Sequence, residues 1–351
     1  MTDSTVEAST PASPSAEEAA WSSLVPSEEI REFAATAREQ FATLFPSSVL
    51  HAMHHDGPRA DAWDGVVEQG YTSIGLPEEF GGLGTVADLV AVLEEAGRAL
   101  VPLPLTVSAA AAQTLLAAGL GHGDLASTRT GLVPRASAAA PGSTVSVFDG
   151  ALVDEIVTVS PDGEVSRFAV VAERRVEDRA IDPTRATAEV TLGERLASAP
   201  PGAPVDDLLA AARVCVAADL VGVGALSLQA GIEHALVREQ FGRLIGSFQS
   251  IKHLIADTHV GLERARSLVA GAAAAVADGS PNARRLSLLA KAGSAEAALR
   301  ATNLRTQLLG AMGLTFESDN HLAVRRAQQT APFLGGAADL YVRAASDGRP
   351  S

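Results

Sequence analysis

Cysteine is nearly absent from this sequence, with Cys215 the single example among 351 residues. One thiol excludes an intrachain disulfide, and this fits a reducing, cytoplasmic setting. Cys215 lies in an apolar run and has no basic neighbour in sequence that would lower its pKa. We therefore interpret it as a small buried side chain without a chemical role.

Basic residues are also scarce: the chain has 27 Lys and Arg against 42 Asp and Glu, a formal net charge of −15. Nucleic acids and anionic membranes bind surfaces with an excess of Lys and Arg, so neither is an expected partner. A local cationic pocket for one phosphate group stays compatible with this balance. The apolar stretches 107–120 and 208–232 are too short for a membrane span or are interrupted by polar residues, so we predict buried helices there.

A signal peptide is missing as well. Residues 1–26 are rich in Ser, Thr, Ala, Pro and Glu, and they lack both a basic start and an apolar core region. This composition predicts a disordered leader. The whole chain is 47% hydrophobic and long enough to bury a large core.

Periodicity divides the rest of the chain into three parts, and the expected fold class is α+β. Residues 27–121 carry apolar side chains at helical spacing and are predicted to form an N-terminal helical domain, with Ser27 as its first N-cap. Residues 130–200 carry alternating runs around a Pro-Asp-Gly-Glu turn, which predicts a small middle β domain. Residues 205–345 are predicted to form a C-terminal four-helix bundle. Its helices are expected at about 206–240, 248–278, 282–310 and 319–343.

Three short motifs carry a family resemblance. Residues 75–84 read G-L-P-E-E-F-G-G-L-G, residues 238–249 begin R-E-Q-F-G and end G-S-F-Q, and residues 307–315 read Q-L-L-G-A-M-G-L-T. These motifs resemble signature segments of the acyl-CoA dehydrogenases, in the same order and across nearly the whole ordered chain. From local physics alone, Gly242 is expected to end a helix in the left-handed conformation and Ser247 to cap the next helix.

The resemblance implies a flavin site with FAD as the cofactor. In the family, the Arg, Phe and Gln of the second motif contact the pyrophosphate and adenosine side of FAD. The Gln and glycines of the third motif approach an FAD that is bound mainly by the neighbouring subunit. Spacing alone would also allow Arg238 to be a helix-capping arginine. The cofactor-binding positions implied here are Arg238, Phe241, Gln249, Gln307, Gly310 and Ala311.

The catalytic base of the family is missing. Desaturation of an acyl-CoA needs a carboxylate that removes the α-proton while the flavin accepts the β-hydride. The family places this glutamate shortly after an R-[DR]-A segment, or on the first long helix of the C-terminal domain. The matching residues here are Leu334 and Ala212, so no catalytic residue is expected. Glu317 is the nearest surviving carboxylate, but it matches a different family glutamate and is more simply an N-terminal acid of the last helix.

The middle domain is also reduced. Residues 130–196 contain no Trp and neither of the family's ring-contacting patterns, so the chain's own flavin-ring pocket is not expected to function. The lost residues serve a subunit's own site, whereas the retained ones serve its neighbour's. This pattern resembles the small subunits of heterotetrameric actinobacterial acyl-CoA dehydrogenases that degrade sterol side chains. It implies three partners: a homologous full-length subunit, an acyl-CoA substrate, and an electron-transfer flavoprotein or similar acceptor.

Two alternatives stay open: a homo-oligomeric FAD-dependent enzyme with a displaced base such as Glu317, and a non-enzymatic scaffold with the same fold. Two further features are interpreted without a function. His51, His54 and His55 have helical spacing but no additional ligand motif, so no metal site is expected. Lys291 is expected on a solvated helix face.

Overall fold

The computed structural model describes residues 28–56, 61–137, 139–176 and 181–347. The predicted leader 1–26 and the predicted N-cap Ser27 lie outside these residues. A layer of helices comes first along the chain, followed by a small sheet and then a bundle of long helices. This order confirms the expected α+β fold class.

The described residues of the N-terminal part, 28–56 and 61–121, form five α-helices. Each packs one apolar side inward; in the first of them Ala37 and Phe41 are fully buried, as the helical spacing predicts. The fourth begins with a capping box, in which the Thr85 hydroxyl accepts a backbone N–H and Asp88 accepts the N–H of Thr85. The helices are α1 (Glu28–Leu44), α2 (Ser47–Asp56), α3 (Trp63–Glu68), α4 (Val86–Arg98) and α5 (Leu105–Ala117).

The first motif, residues 75–84, forms the tight loop between α3 and α4. Gly81 has a φ of 73°, and a Cβ on Gly82 would lie 1.8 Å from the Leu76 carbonyl oxygen. Glycine is needed here because the backbone passes directly over itself. The motif therefore has a structural explanation within the N-terminal part.

A five-stranded sheet with the order β1-β3-β4-β5-β2 forms the middle part. β1 pairs in parallel with β3, and the other neighbours are antiparallel. The alternation rule does not predict β1, because its five residues include Gly131 and Pro134, which disfavour a strand. The strands are β1 (Thr130–Pro134), β2 (Thr144–Val147), β3 (Glu155–Val159), β4 (Val165–Val176) and β5 (Ala188–Ala199).

The C-terminal part is the expected bundle, but the prediction of one continuous fourth helix over 319–343 is wrong. Residues 331–336 separate two shorter helices. Pro332 has no N–H for a helical hydrogen bond, and Leu334 and Gly335 have φ values of 62° and 120°. The helices are α6 (Val205–Leu208), α7 (Ala210–Val237), α8 (Gln249–Ala277), α9 (Ala283–Leu309), α10 (Asn320–Thr330) and α11 (Ala337–Asp347).

Helix α7 is the central core helix. By length and composition it could cross a membrane, but 94% of its most apolar window is buried inside the protein. The sequence-based expectation of a buried helix at 208–232 is therefore confirmed. Cys215 lies on α7 and is fully buried, and burial raises the pKa of its thiol to about 12.

A buried ionic cluster ties the three parts of the chain together. Arg185, which precedes β5, donates to Asp149 Oδ2 and to Asp219 Oδ1 of α7, both at 3.0 Å. Arg326 of α10 donates to Asp182 Oδ2 at 2.5 Å and to two backbone carbonyls of the N-terminal part. All five side chains are buried. We call these five residues the ionic junction.

The ionic junction holds three carboxyl groups and two guanidinium groups, so the charges do not balance. Burial raises the pKa of the Asp149 carboxyl despite the nearby Arg185. Its Oδ1 has no hydrogen-bond partner among the described residues. A carboxyl in this situation binds a proton more readily than it would in water. Among the three carboxyl groups of the ionic junction, Asp149 is therefore the one whose ionisation lowers the free energy of unfolding.

Lys291 is not on a solvated face, so that expectation is wrong. Its side chain on α9 is fully buried, and Nζ donates to the Ala331 carbonyl at 2.8 Å. Burial lowers the pKa of Lys291 to about 7. Nearby, Arg213 Nε donates to the Leu334 carbonyl at 3.4 Å. Two basic side chains thus bind backbone carbonyl groups at the point where the chain leaves α10.

Asp149→Asn is expected to keep or raise the free energy of unfolding at pH 7. The pKa of Asp149 in the folded chain lies above the unfolded value of about 3.9. Its contribution to stability is therefore largest below about pH 3.9, where the carboxyl is protonated in both states. This contribution is lost as the pH rises through the folded pKa. Asn removes this pH dependence and keeps an oxygen for Arg185. Urea unfolding between about pH 5 and pH 8 measures the effect.

The control for this test is Arg185→Met, which leaves buried carboxylates unpaired and is expected to cost about 3–5 kcal/mol. If Asp149→Asn costs as much as Arg185→Met at pH 7, the ionised form of Asp149 is needed by the fold and our assignment is wrong.

Lys291→Met is expected to abolish a rise in stability above neutral pH. The pKa of Lys291 is lowered to about 7 in the folded chain, and the unfolded value is about 10.4. Unfolding therefore takes up a proton between these values, and the folded state gains stability as pH increases. Urea titrations across this range measure the slope.

Lys252→Met, which alters an exposed lysine of α8, is the matched control and should keep the wild-type slope. An unchanged slope in Lys291→Met would show that another group causes the pH dependence.

Candidate functional site

Residues 238–249, called here the corner, connect α7 to α8. Helix α7 ends at Val237, and Arg238 is its C-cap with an extended backbone and an exposed side chain. Residues 239–240 and 243–244 then pair as a minimal hairpin, β6 (Glu239–Gln240) and β7 (Arg243–Leu244). The two residues between them, Phe241 and Gly242, have φ values of 54° and 75°. Two consecutive positive φ values are typical of a type I′ hairpin turn.

The expected roles of two corner residues are therefore wrong. Gly242 is a hairpin-turn residue and does not end a helix, because α7 has already ended before the strand pair begins. Ser247 does not cap α8, since its hydroxyl donates to the Leu244 carbonyl at 2.6 Å and the N-cap position is Phe248. The glycine is still required, but for a hairpin turn that the helical spacing did not reveal.

Phe241 is held out from the protein surface. Its side chain is 91% exposed, although aromatic side chains are usually buried. Its ring contacts Phe248 edge to face, with 6.3 Å between centroids, and the Arg243 guanidinium lies 3.9 Å above the Phe248 ring. Gln249, the first residue of α8, is also exposed. Arg238, Phe241 and Gln249 are thus presented together on one short connection.

Residues 307–315, called here the Gly-rich turn, comprise the last three residues of α9 and the turn that follows it. Gly310 has φ 63° and ψ −135°, a conformation open essentially to glycine alone. A Cβ on Gly313 would lie 2.9 Å from the Thr306 carbonyl oxygen, so this glycine is needed for packing. Gln307, Gly310 and Ala311 are exposed.

The corner and the Gly-rich turn lie at the same end of the bundle. A Cβ on Gly231, near the end of α7, would lie 3.1 Å from Leu308 Cδ1, near the end of α9. Gly246 in the corner packs on the carbonyl of Ala235 of α7. All six positions expected to bind cofactor are therefore on this end of the molecule. Their contact with FAD stays a prediction.

Large apolar side chains are exposed at this same end, a feature that sequence reasoning missed. Solvent exposure reaches 75% at Val237 and 78% at Leu314. The sequence gives a retrospective signal, because α7 ends on two apolar residues, Leu236 and Val237, and apolar residues continue past the end of α9 at Met312 and Leu314. We call this set the bundle-end surface: Leu236, Val237, Phe241, Leu244, Met312, Leu314 and Phe316.

The two positions expected to hold the family's catalytic base are buried. Leu334 is 5% exposed and Ala212 is fully buried. Arg213, next to Ala212 on α7, donates to the Leu334 carbonyl at 3.4 Å, so α7 contacts the segment after α10 here. A proton-abstracting carboxylate is present at neither one. Glu317 is exposed and therefore lacks the burial by which enzymes adapt a carboxylate to base catalysis at neutral pH.

Of the three histidines identified in the sequence, only His51 has a described side chain. His51 Nε2 lies 2.5 Å from Asp319 Oδ1 and is engaged there. The side chains of His54 and His55 lie outside the described residues. Within those residues, no group of three His, Cys, Asp or Glu side chains is placed to hold a metal ion.

Two family models match this chain. The model described as "Acyl-CoA dehydrogenase, N-terminal domain" matches residues 27–122, and the one described as "Acyl-CoA dehydrogenase, C-terminal domain" matches residues 205–344. The acyl-CoA dehydrogenase IpdE2 of Mycobacterium tuberculosis is 33% identical over 309 residues, which cover 86% of this chain and 91% of that protein. IpdE2 of Mycolicibacterium smegmatis is 32% identical, with coverages of 87% and 93%.

Solved structures share the fold. A chain of the ChsE4-ChsE5 complex from Mycobacterium tuberculosis gives a TM-score of 0.78 at 22% identity, covering 93% of this chain and 100% of that chain. A chain of the Tcur3481-Tcur3483 steroid ACAD gives 0.76 at 23% identity, covering 91% and 97%. Sequence and fold together establish that this chain belongs to the acyl-CoA dehydrogenase family, whose members are FAD-dependent oxidoreductases acting on CH–CH groups.

Proposed function

We propose that this chain is the non-catalytic subunit of a heteromeric acyl-CoA dehydrogenase. One observation carries the proposal: both base positions, Leu334 and Ala212, hold buried apolar side chains, whereas Arg238, Phe241 and Gln249 are exposed on the corner. The chain would lend contacts to the dinucleotide part of an FAD whose ring and base belong to a homologous full-length subunit.

The chemistry requires a second polypeptide. α,β-Desaturation removes a proton from one carbon and a hydride from the next, and bound FAD supplies the hydride acceptor. The proton must pass to a base of suitable pKa beside the thioester. Leu334 and Ala212 have no group that can accept it. The carboxylate must then come from the partner.

The residues at the bundle end fit the phosphate part of FAD. The Arg238 guanidinium is a bidentate donor suited to phosphate oxygens. Gly310 and Ala311 are exposed and have no side chain beyond a methyl group, so a ligand can approach the backbone closely there. The Gly310 N–H itself is bound by the carbonyl groups of Thr306 and Gln307. A single phosphate contact by Arg238 is compatible with the net charge of −15, because a direct contact depends on the nearby groups more than on the charge of the whole chain.

The residues between the sheet and the bundle do not fit a flavin ring of the chain's own. Phe148, directly after β2, packs on Phe333 beside the missing base, with 4.6 Å between ring centroids. The ionic junction joins the same two parts through direct contacts. These observations favour a single FAD per pair of unlike subunits.

The bundle-end surface supports a tightly bound partner. Large exposed apolar side chains around one site are typical of a protein interface. Two proteins of the same fold, ChsE4-ChsE5 and Tcur3481-Tcur3483, are named as pairs, and the second is described as a steroid ACAD. We therefore favour a steroid side-chain CoA as substrate, an electron-transfer flavoprotein or similar acceptor, and a cytoplasmic setting.

Arg238→Ala is expected to weaken FAD binding by the complex of this chain with its full-length homologue. Loss of one charge-assisted contact to phosphate is worth about 1.5–3 kcal/mol, which corresponds to about 10- to 150-fold in the dissociation constant. Flavin fluorescence during dilution or titration measures the change.

The matched control is Arg195→Ala, which removes an exposed arginine from β5 in the sheet. It should leave FAD affinity unchanged. Equal affinities of the Arg238→Ala complex and the wild-type complex would support a scaffold role for this chain and contradict the proposed function.

A further inference from the structure

Asp319 stands at the N-cap position of α10 but does not cap that helix. Aspartate is among the preferred N-cap residues because its carboxylate accepts backbone N–H groups of its own helix. Here both carboxylate oxygens are used elsewhere: Oδ2 accepts from Ser47 Oγ at 2.6 Å, and Oδ1 lies 2.5 Å from His51 Nε2. The Asn320 N–H is bound instead by the Ser318 hydroxyl at 3.2 Å.

This contact joins two distant parts of the chain. Ser47 and His51 are four residues apart on α2, so they project from one face of that helix. Asp319 is 272 residues from Ser47 and 268 residues from His51. Burial alone would raise the pKa of Asp319, but the hydrogen bonds from Ser47 and His51 hold it below its ordinary value. The carboxylate is therefore ionised at neutral pH and accepts from both groups.

The contact fixes one end of segment 310–318, and Asn320 fixes the middle. Asn320 Nδ2 donates to the Gly313 carbonyl at 3.0 Å and to Thr306 Oγ1 at 2.8 Å. The Phe316 ring packs against the His321 ring, with 5.0 Å between centroids. Residues 310–312 and 314–317 are exposed, whereas Gly313 is buried. The segment is thus accessible to a ligand, while the contacts of Asn320 and His321 fix its position.

We propose that Asp319, held by Ser47 and His51, is a positioning residue for the cofactor-facing segment 310–318. This inference rests on the proposed function, in which Gly310 and Ala311 approach the FAD shared with the partner. Through this contact, a helix of the N-terminal part sets the place of a loop in the C-terminal part. This role explains why the Asp319 carboxylate binds Ser47 and His51 and does not cap α10.

The contact is placed to control the loop without controlling the fold. Asp319 and His51 have 41% and 35% exposed side chains, whereas the attachment between the parts of the chain rests on the fully buried ionic junction. Breaking the contact should therefore free segment 310–318 and leave global unfolding nearly unchanged.

Asp319→Asn and His51→Leu test the inference in the complex with the full-length homologue. Each is expected to weaken FAD binding about three- to tenfold, in line with the loss of one or two hydrogen bonds, with kcat at saturating FAD unchanged. In the isolated chain, hydrogen exchange should accelerate in peptides covering 310–318 and not elsewhere. His51→Gln should retain wild-type affinity, because the Gln amide nitrogen can replace Nε2 as donor.

The matched control is Asp347→Asn, which removes the partner of Arg284 in another exposed ion pair between helices. It should change neither FAD affinity nor exchange at 310–318. Wild-type FAD affinity in Asp319→Asn, together with weakened binding in Arg238→Ala, would overturn the positioning role and leave the proposed function standing. A global rise in exchange would also overturn it, because the contact would then be structural. Unchanged affinity in both variants would remove the proposed function itself.

Discussion

The ionic junction is the interaction on which the arrangement of this chain depends. Arg185 and Arg326 join the sheet, α7, α10 and the N-terminal helices through contacts that are buried throughout. Buried ion pairs add little net stability, because desolvation offsets their attraction, but removing one partner is costly. The hydrogen bonds of these ion pairs are directional, so they specify how the N-terminal helices, the sheet and the bundle are arranged relative to one another. The corner and the Gly-rich turn take no part in the ionic junction and lie together at one end of the bundle.

The chain is thus buried at the positions expected for the family's base and exposed at the end of the bundle where we propose that a partner binds. At the positions expected for the family's base, Leu334 is buried, and the basic side chains of Arg213 and Lys291 donate to the carbonyl groups of Leu334 and Ala331. At the bundle end, Arg238 and Phe241 face outward among exposed apolar side chains. The carboxylate of Asp206 in the first region accepts from Arg213 Nη2 at 2.6 Å, whereas Leu334 and Ala212 carry no ionisable group. The second region is suited to shared binding of a dinucleotide.

Much of this could be predicted from sequence, since helical periodicity and local motifs are short-range signals. The α+β order, the buried α7 and the family follow from them. The errors have physical causes. Gly242 fits both a helix end and a type I′ turn, and the intervening strand pair is too short to show periodicity. Lys291 looks like a surface residue because burial of one lysine depends on Ala331, a distant neighbour. The ionic junction and the link from Asp319 to α2 join residues far apart in sequence, so no local pattern indicates them.

The most direct test of the division between subunits is the flavin content of the purified complex. Co-expression with a neighbouring full-length homologue, followed by absorbance of released FAD against protein concentration, gives the number of flavins per pair. We expect a value near one FAD per pair of unlike subunits, with none retained by this chain alone. Two FAD per pair, or an isolated chain that is yellow and oxidises an acyl-CoA, would contradict the claim that this subunit lends contacts to a site whose base belongs to its partner.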